Sequence, residues 1–252
     1  MWDSFISLMI NILLYTYTFV GQNFGVAIIL FTILIRLVLY PLNAQQVKST
    51  QAMQDMQKSK KWQDIQKKHK GDKEKLSQEQ MALYKEMGVN PFGSCLPTLM
   101  QFPIIIGLYQ AIIQTLAVSP LPLLNLAQHI DDGAKLIPIN SIFLWMDLSM
   151  PEKDFGLSIA GYGLPILAII VMVTSYMQTK LMTPPSTGSK DQGAQMSQAM
   201  GLYMPLFMGY LAYSFASGLA LYFVISNIAT ILQYAIMGRL DWSNLIPGKT
   251  KS

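Results

Sequence analysis

The sequence predicts an all-α integral membrane protein in which five membrane-spanning helices surround a hydrophilic groove. Hydrophobic residues make up 52% of the 252 residues and charged residues only 13%, whereas soluble domains carry about 25% charged residues. The apolar residues are concentrated in stretches of roughly 20, the length that crosses a bilayer as a helix. Most charges lie between these stretches, and one arginine inside the first stretch predicts the groove.

The five predicted spans contain no Asp or Glu; they are residues 21–42, 93–118, 161–182, 198–216 and 219–238. Residues 1–20 differ from them, because the polar residues Asp3, Ser7, Asn11 and Thr18 fall near one helical stripe. We expect this segment to be an amphipathic helix that lies along the outer face of the membrane. A sixth, short span is the alternative.

The distribution of Lys and Arg predicts the orientation. Residues 43–92 contain ten Lys, whereas residues 119–160 contain two Lys and five acidic residues. Because short cytosolic loops are enriched in positive charge, we expect 43–92 to be cytosolic and 119–160 to be an extracytoplasmic loop. Residues 183–197 then form a cytosolic loop and residues 239–252 a short basic cytosolic tail. The chain is thus expected to cross a cell membrane several times, with its N-terminus outside.

The two larger loops have distinct expected structures. Residues 43–92 are rich in Gln, Lys and Met, which favour helix, with a turn signal at Gly71-Asp72 and a helix end at Gly88. They predict a basic helical hairpin that could touch anionic lipid; its weak apolar periodicity indicates a mobile rather than a packed unit. The Leu-rich half of 119–160 predicts a short interfacial helix, followed by Trp145 at headgroup depth.

Catalytic groups are scarce. His69 and His129 both lie in loops, Cys95 is the single cysteine, and there is no phosphate-binding glycine motif or metal-ligand spacing. The spans also lack the acidic residues that ion-coupled pumps usually need. We therefore expect a protein that is not an enzyme and has no cofactor and no metal.

Arg36 is the singular residue, because it lies inside the run ILIRLVLYPL. An arginine near a bilayer centre costs about 2.5–3.5 kcal/mol on insertion scales. Its side chain could snorkel to the cytosolic surface, about 9 Å away at helical rise. The alternative is a wet cavity within the bundle. No carboxylate in the spans could pair with it, so Arg36 is expected to attract an anion from outside the protein.

Uncharged polar residues on other spans could line such a cavity, although interhelical hydrogen bonds explain each one singly. They are Thr98, Gln101, Gln110, Gln114, Thr174, Ser175, Gln178, Ser226, Asn227, Thr230 and Gln233. Met196, Met200, Met204 and Met208 recur every four residues along the fourth span. Such flexible side chains suit a surface that accepts varied apolar shapes, or they serve ordinary packing.

Three segments resemble the YidC/Oxa membrane protein insertases: FTILIRLVLYPLNAQQ, QEQMALYKEMGVNPFGSCLPTLMQFPIIIGLY and FASGLALYFVISNIATILQ. The resemblance extends from about residue 20 to residue 238. It implies a groove open to cytosol and lipid and closed to the outside. Residues that match the family's groove or substrate-contact positions are Arg36, Thr32, Phe102, Ile105 and Gln178. Gln101, one of the polar residues above, is a further candidate substrate-binding residue. Phe223 occupies a position that usually carries Trp or Tyr, so a hydrogen bond there is in doubt.

The resemblance implies a membrane insertase and chaperone. It would capture hydrophilic, often acidic, parts of nascent membrane proteins and release their hydrophobic segments into lipid without consuming a nucleotide. Its partners would be nascent membrane proteins and membrane lipids, with the Sec translocon and the ribosome left open and no specific nucleic acid. The short tail means that a ribosome contact would have to come from the basic hairpin. A polar-solute channel or transporter and a lipid scramblase are the alternatives.

Overall fold

The protein is mostly helical. A computed structural model describes residues 2–69, 71–89, 96–116, 139–155, 157–159, 162–182, 192–238 and 240. Cys95, His129, the Leu-rich half of the outer loop and most of the C-terminal tail lie outside the described residues. The elements in chain order are α1 (Trp2–Phe19), α2 (Phe24–Val38), α3 (Tyr40–Lys58), α4 (Lys60–Lys68), α5 (Lys73–Glu86), α6 (Leu96–Leu116), β1 (Ile142–Phe143), β2 (Met146–Asp147), α7 (Glu152–Phe155), β3 (Leu157–Ile159), β4 (Tyr162–Leu164), α8 (Ile166–Met182), α9 (Gln192–Ser214) and α10 (Ser217–Ile236).

Two short antiparallel hairpins, β1–β2 and β3–β4, correct the all-α prediction. Their strands are two or three residues long, so helical or alternating patterns in the sequence cannot reveal them. Both hairpins belong to the segment between α6 and α8. The rest of the described chain between Trp2 and Ile236 is helical apart from turns and caps.

The first predicted span is bent. Leu39 ends α2 and also begins α3, and the two helices meet at 66°. Pro41 has no N–H to donate to the preceding turn, and its ring clashes with that turn, so a straight helix cannot pass through it. The helix within the predicted span 21–42 therefore ends at Val38, and the extent of the span stays a prediction.

One helix, Ser217–Ile236, is long and apolar enough to cross a membrane by itself, within the part of the chain that the structure describes. The bent pair Phe24–Val38 and Tyr40–Lys58 meets the same criteria when taken together. Gln101–Leu116 and Ile166–Met182 are apolar but shorter. The number of spans remains a prediction.

The N-terminal helix α1 packs on α2 and α6. Its buried stripe contains Ile6, Met9, Ile10, Leu13 and Tyr17. Gly21 and Gln22 then adopt positive φ values of 73° and 64°, which reverses the chain, and the side chain of Asn23 caps α2 by accepting the Val26 N–H. The helix exists as expected, while its place along the membrane surface remains a prediction.

The basic hairpin consists of α3, α4 and α5. Ser59 breaks its first arm and caps α4 by accepting the Trp62 N–H, and Gly88 ends the second arm with φ 64°. Met56, Trp62 and Leu83 are buried together in a small apolar core. The expectation of an unpacked hairpin is wrong, because the three residues are too far apart in sequence to register as a periodic stripe.

Helix α10 is the centre of the bundle, since it packs on α2, α6, α8 and α9. Residues 148–150 lie across its N-terminus: the Gly218 N–H donates to the Leu148 carbonyl (3.1 Å) and the Ser217 N–H to the Met150 carbonyl (2.9 Å). A Cβ on Gly218 would lie 3.2 Å from that Leu148 oxygen. This close approach joins the segment before α7 to the end of α10 nearest β1–β2.

Candidate functional site

Arg36 lies in the last turn of α2 and its side chain reaches α10. Its Nη2 donates a hydrogen bond to the Ser226 hydroxyl. Helices α2, α6, α8, α9 and α10 contain no Asp or Glu, and both ion pairs among the described residues lie in the basic hairpin. Within the part of the chain that the structure describes, the guanidinium is therefore held by a neutral acceptor and not by a carboxylate.

Tyr222 connects this contact to a third helix. Its side chain is 1% exposed, and its hydroxyl accepts a hydrogen bond from Gln101 Nε2 of α6. Tyr222 lies one turn before Ser226 along α10, so the two side chains share a face of that helix. Arg36, Ser226, Tyr222 and Gln101 thus form one polar cluster, here called the arginine network, in which two hydrogen bonds join α10 to α2 and to α6.

A second polar contact joins α10 to α8. Asn227 Nδ2 donates to Thr174 Oγ1 (3.1 Å) and to Ser175 Oγ (2.8 Å). Gln178 follows one turn after Thr174, and its buried Oε1 has no hydrogen-bond partner among the described residues. Because Asn227 directly follows Ser226, this contact lies at the same level of α10 as the arginine network.

The other predicted site residues have varied surroundings. Thr32 is fully buried and donates to the Ile28 carbonyl of its own helix (2.6 Å). Ile105 packs against the core, whereas Phe102, three residues before it, is 48% exposed. Phe223 is buried, with its ring centroid 5.8 Å from that of Tyr222. Gln101 belongs to the arginine network through its hydrogen bond to Tyr222, whereas Phe102 lies on the surface.

Some residues that the sequence suggested as groove lining serve other contacts. Gln110 accepts from Trp2 Nε1 and so holds α1 on α6 (3.3 Å). Thr230 donates to the Ser226 carbonyl within α10 (2.8 Å). Tyr222 was not singled out from the sequence. Its spacing of four residues from Ser226 does place the two hydroxyl groups on one face of a helix.

The arrangement is suited to binding an anion. A guanidinium with neutral partners can bind a carboxylate or another anion by donating two parallel hydrogen bonds to it. The described residues contain no cluster of three or more His, Cys, Asp or Glu side chains that could hold a metal ion. The apolar faces of the helices around the arginine, together with this buried polar network, define a helical membrane protein with a potential anion-binding site inside its bundle.

Comparisons with known proteins agree with this class and narrow it. The family model described as "60Kd inner membrane protein" matches residues 15–243. The chain belongs to that family, which comprises the YidC/Oxa proteins. It is 37% identical over 237 residues to the membrane protein insertase MisCA of Bacillus subtilis, covering 92% of this chain and 77% of the relative.

Other relatives and a solved structure cover similar lengths of the chain. The membrane protein insertase YidC of Oceanobacillus iheyensis is 35% identical over 87% of this chain and 76% of its own. The chloroplastic inner membrane protein ALBINO3 of Arabidopsis thaliana is 34% identical over 88% of this chain and 48% of its own. A crystal structure of an active YidC insertase superposes with a TM-score of 0.56 and 26% identity, over 94% of this chain and 46% of the other.

Proposed function

We propose that this chain is a membrane protein insertase and chaperone. It captures hydrophilic, often acidic, segments of nascent membrane proteins at Arg36, in a groove open to the cytosol and to lipid. The observation that carries this proposal is the hydrogen bond of Arg36 to the neutral Ser226 hydroxyl, in a group of helices without acidic residues. The names of the relatives support the same activity: they are membrane protein insertases of Oceanobacillus iheyensis and Bacillus subtilis and a YidC insertase of known structure.

The electrostatic argument gives the capture step a magnitude. A carboxylate 4 Å from a guanidinium gains about 4 kcal/mol at an effective dielectric constant near 20. Stripping water from the carboxylate offsets much of this gain. If about 1.4 kcal/mol survives, the capture equilibrium changes about tenfold. The client carboxylate would replace the Ser226 hydroxyl as the partner of the guanidinium.

Release of the client is driven by its own hydrophobic segment. A segment of about 20 apolar residues leaves water for lipid favourably, so no nucleotide is needed at this step. The exposed apolar residues of α6 and α9, which include Phe102 and Phe207, offer a surface along which it could move. In this proposal five spans place the N-terminus outside and the C-terminus in the cytosol. The translocon and the ribosome are candidate partners.

The test is insertion into proteoliposomes of a single-span client with a short acidic N-terminal tail. A sister client carries Gln in place of each acidic tail residue. We expect Arg36→Ala to lower insertion of the acidic client about tenfold and to affect the neutral client much less. Arg36→Lys should retain much of the activity, because it keeps the charge and loses only the planar fork.

Lys180→Ala provides the matched control, since it removes an exposed cation that lies 5.7 Å from the Tyr176 ring at the end of α8. It should leave the preference for the acidic client unchanged. Equal losses for both clients in Arg36→Ala would contradict the charge mechanism. No insertion above empty liposomes by the folded protein would contradict the insertase proposal and favour a channel or scramblase.

A further inference from the structure

The loop between β1 and β2 holds apolar side chains in an exposed position. The strands pair Ile142 with Asp147 and Phe143 with Met146, so Leu144 and Trp145 form a two-residue loop. Ile142, Leu144 and Trp145, here called the hairpin tip, are 63%, 71% and 46% exposed. The intervening Phe143 packs against the core. Residues 139–146 contain no ionisable side chain, so nothing in this stretch favours water by charge.

The backbone at the tip is strained. Leu144 has a φ of 55°, in the left-handed region that is unfavourable for residues with a Cβ. Glycine is the usual residue at the first position of a two-residue loop with this sign of φ. The Leu144 side chain does not offset the strain by packing inside the protein, because most of it is exposed. An apolar environment outside the protein would offset it.

The root of this hairpin is fixed to the ends of two apolar helices. The Phe143 ring lies against Gly25 at the start of α2, where an added Cβ would be 2.1 Å from Phe143 Cγ. The Leu148 carbonyl accepts the Gly218 N–H at the start of α10. The hairpin tip is therefore held at the end of α2 and α10 opposite the α3–α5 hairpin. For helices that run across a bilayer, this end is the boundary between lipid and water.

We infer that the hairpin tip docks into the lipid–water interface of the membrane and sets the depth of α2 and α10. Tryptophan suits this interface, because its ring is apolar and its N–H can donate to headgroup oxygens. Leu144 and Ile142 lie beside it and contribute apolar surface to the lipid. Because the root is hydrogen-bonded to α10 and packed on α2, the depth of the tip determines how deep Arg36 lies. The inference needs only the membrane location of the family, so it does not depend on the insertase proposal.

The test uses the full chain with Trp2→Phe, Trp62→Phe and Trp242→Phe, which leaves Trp145 as its only tryptophan. The protein is reconstituted in vesicles of phosphatidylcholine and phosphatidylglycerol, with or without bromine on the acyl chains. We expect Trp145 emission to be blue-shifted, strongly quenched by the brominated lipid and weakly quenched by aqueous acrylamide. Leu144→Asn in the same background should shift the emission to the red and reduce quenching by lipid. Asn tolerates positive φ, so this variant keeps the loop.

Met87→Asn is the control, because Met87 is also 46% exposed but belongs to the α3–α5 hairpin; it should leave Trp145 quenching unchanged. Strong quenching by acrylamide without quenching by brominated lipid would place the tip in water and overturn the inference. Protection from both quenchers would show that protein covers the tip, and would overturn it as well. Circular dichroism of each variant confirms that the helices are intact.

Discussion

Replacing Glu152 with alanine is expected to lower the free energy of unfolding by about 3 kcal/mol, an estimate that follows from two hydrogen bonds. Glu152 is 2% exposed. Its Oε1 accepts the Leu167 N–H at 2.7 Å and its Oε2 accepts the Ala168 N–H at 2.8 Å. These donors belong to the first turn of α8, where no carbonyl of the same helix can reach them. The carboxylate thus caps α8 although it lies 15 and 16 residues before the two donors along the chain.

The magnitude combines the loss of the bonds with the cost of the donors left behind. Each buried N–H without a partner costs about 1–3 kcal/mol, and water that enters the vacated space offsets part of the sum. For a chain of this size, about 3 kcal/mol corresponds to a fall in thermal midpoint of roughly 6–12 °C. Glu152→Gln should fall between the wild type and Glu152→Ala, because its amide keeps one acceptor.

The assay is thermal unfolding in detergent and in lipid, followed by tryptophan emission. Asp154→Ala is the matched control: Asp154 lies two residues further on in α7 and is exposed. This variant should change stability by less than about 0.5 kcal/mol. If Glu152→Ala and Asp154→Ala unfold at the same temperature, the cap contributes nothing and the reasoning is refuted.

Two further predictions concern other contacts. Gly25→Ala should destabilise the protein by about 2–3 kcal/mol, because its Cβ would overlap Phe143. In thermal unfolding, the double variant Gly25→Ala/Phe143→Ala should be no less stable than Phe143→Ala alone. A further loss of stability in the double variant would show that the overlap is not the cause. Burial raises the pKa of Tyr84 in the basic hairpin, so its contribution to stability is complete below the unfolded pKa, about 10, and is lost as pH rises through the folded pKa. Trp62 emission should therefore report loosening of the hairpin core at alkaline pH that is weaker in Tyr84→Phe; identical pH profiles would contradict this.

The long helices could be predicted from the sequence because their signal is local. Apolar runs and the breaker Gly88 each act within a few residues. Helices α6 and α8 fall within the predicted segments, whereas α10 begins at Ser217, two residues before its predicted segment. The hairpins β1–β2 and β3–β4 could not be predicted, since strands of two or three residues are too short to show an alternating pattern. The β1–β2 hairpin also packs on α2 and α10, which are distant in sequence. The small core of the basic hairpin was missed for a similar reason: Met56 and Leu83 meet only after the chain turns back.

The candidate site was partly predictable. Arg36 stands out because placing a charge in an apolar segment costs free energy unless the charge has a partner or contacts water. Its partner Ser226 is 190 residues away, and no local pattern pairs the two. Tyr222 passed as an ordinary aromatic residue of an apolar helix. The role of Glu152 was hidden because an acidic residue in an outer loop is expected to be solvated.

Leu39, the residue shared by α2 and α3 at their bend, is a pivot from which the far end of α3 is much more distant than Arg36. The Leu39 N–H donates to the Ile35 carbonyl, and the Leu39 carbonyl accepts from the Asn43 N–H, both at 2.9 Å. Helical hydrogen bonds thus continue through the bend, and no flexible linker separates α2 from α3. The arm formed by α3 is about 28 Å long, whereas Arg36 lies about 4.5 Å from the pivot along the helix axis. A 5 Å swing at the far end of α3 is thus a rotation of about 10° and moves the backbone of Arg36 by less than about 1 Å. Large excursions of the basic hairpin reach the arginine only as small adjustments of its position.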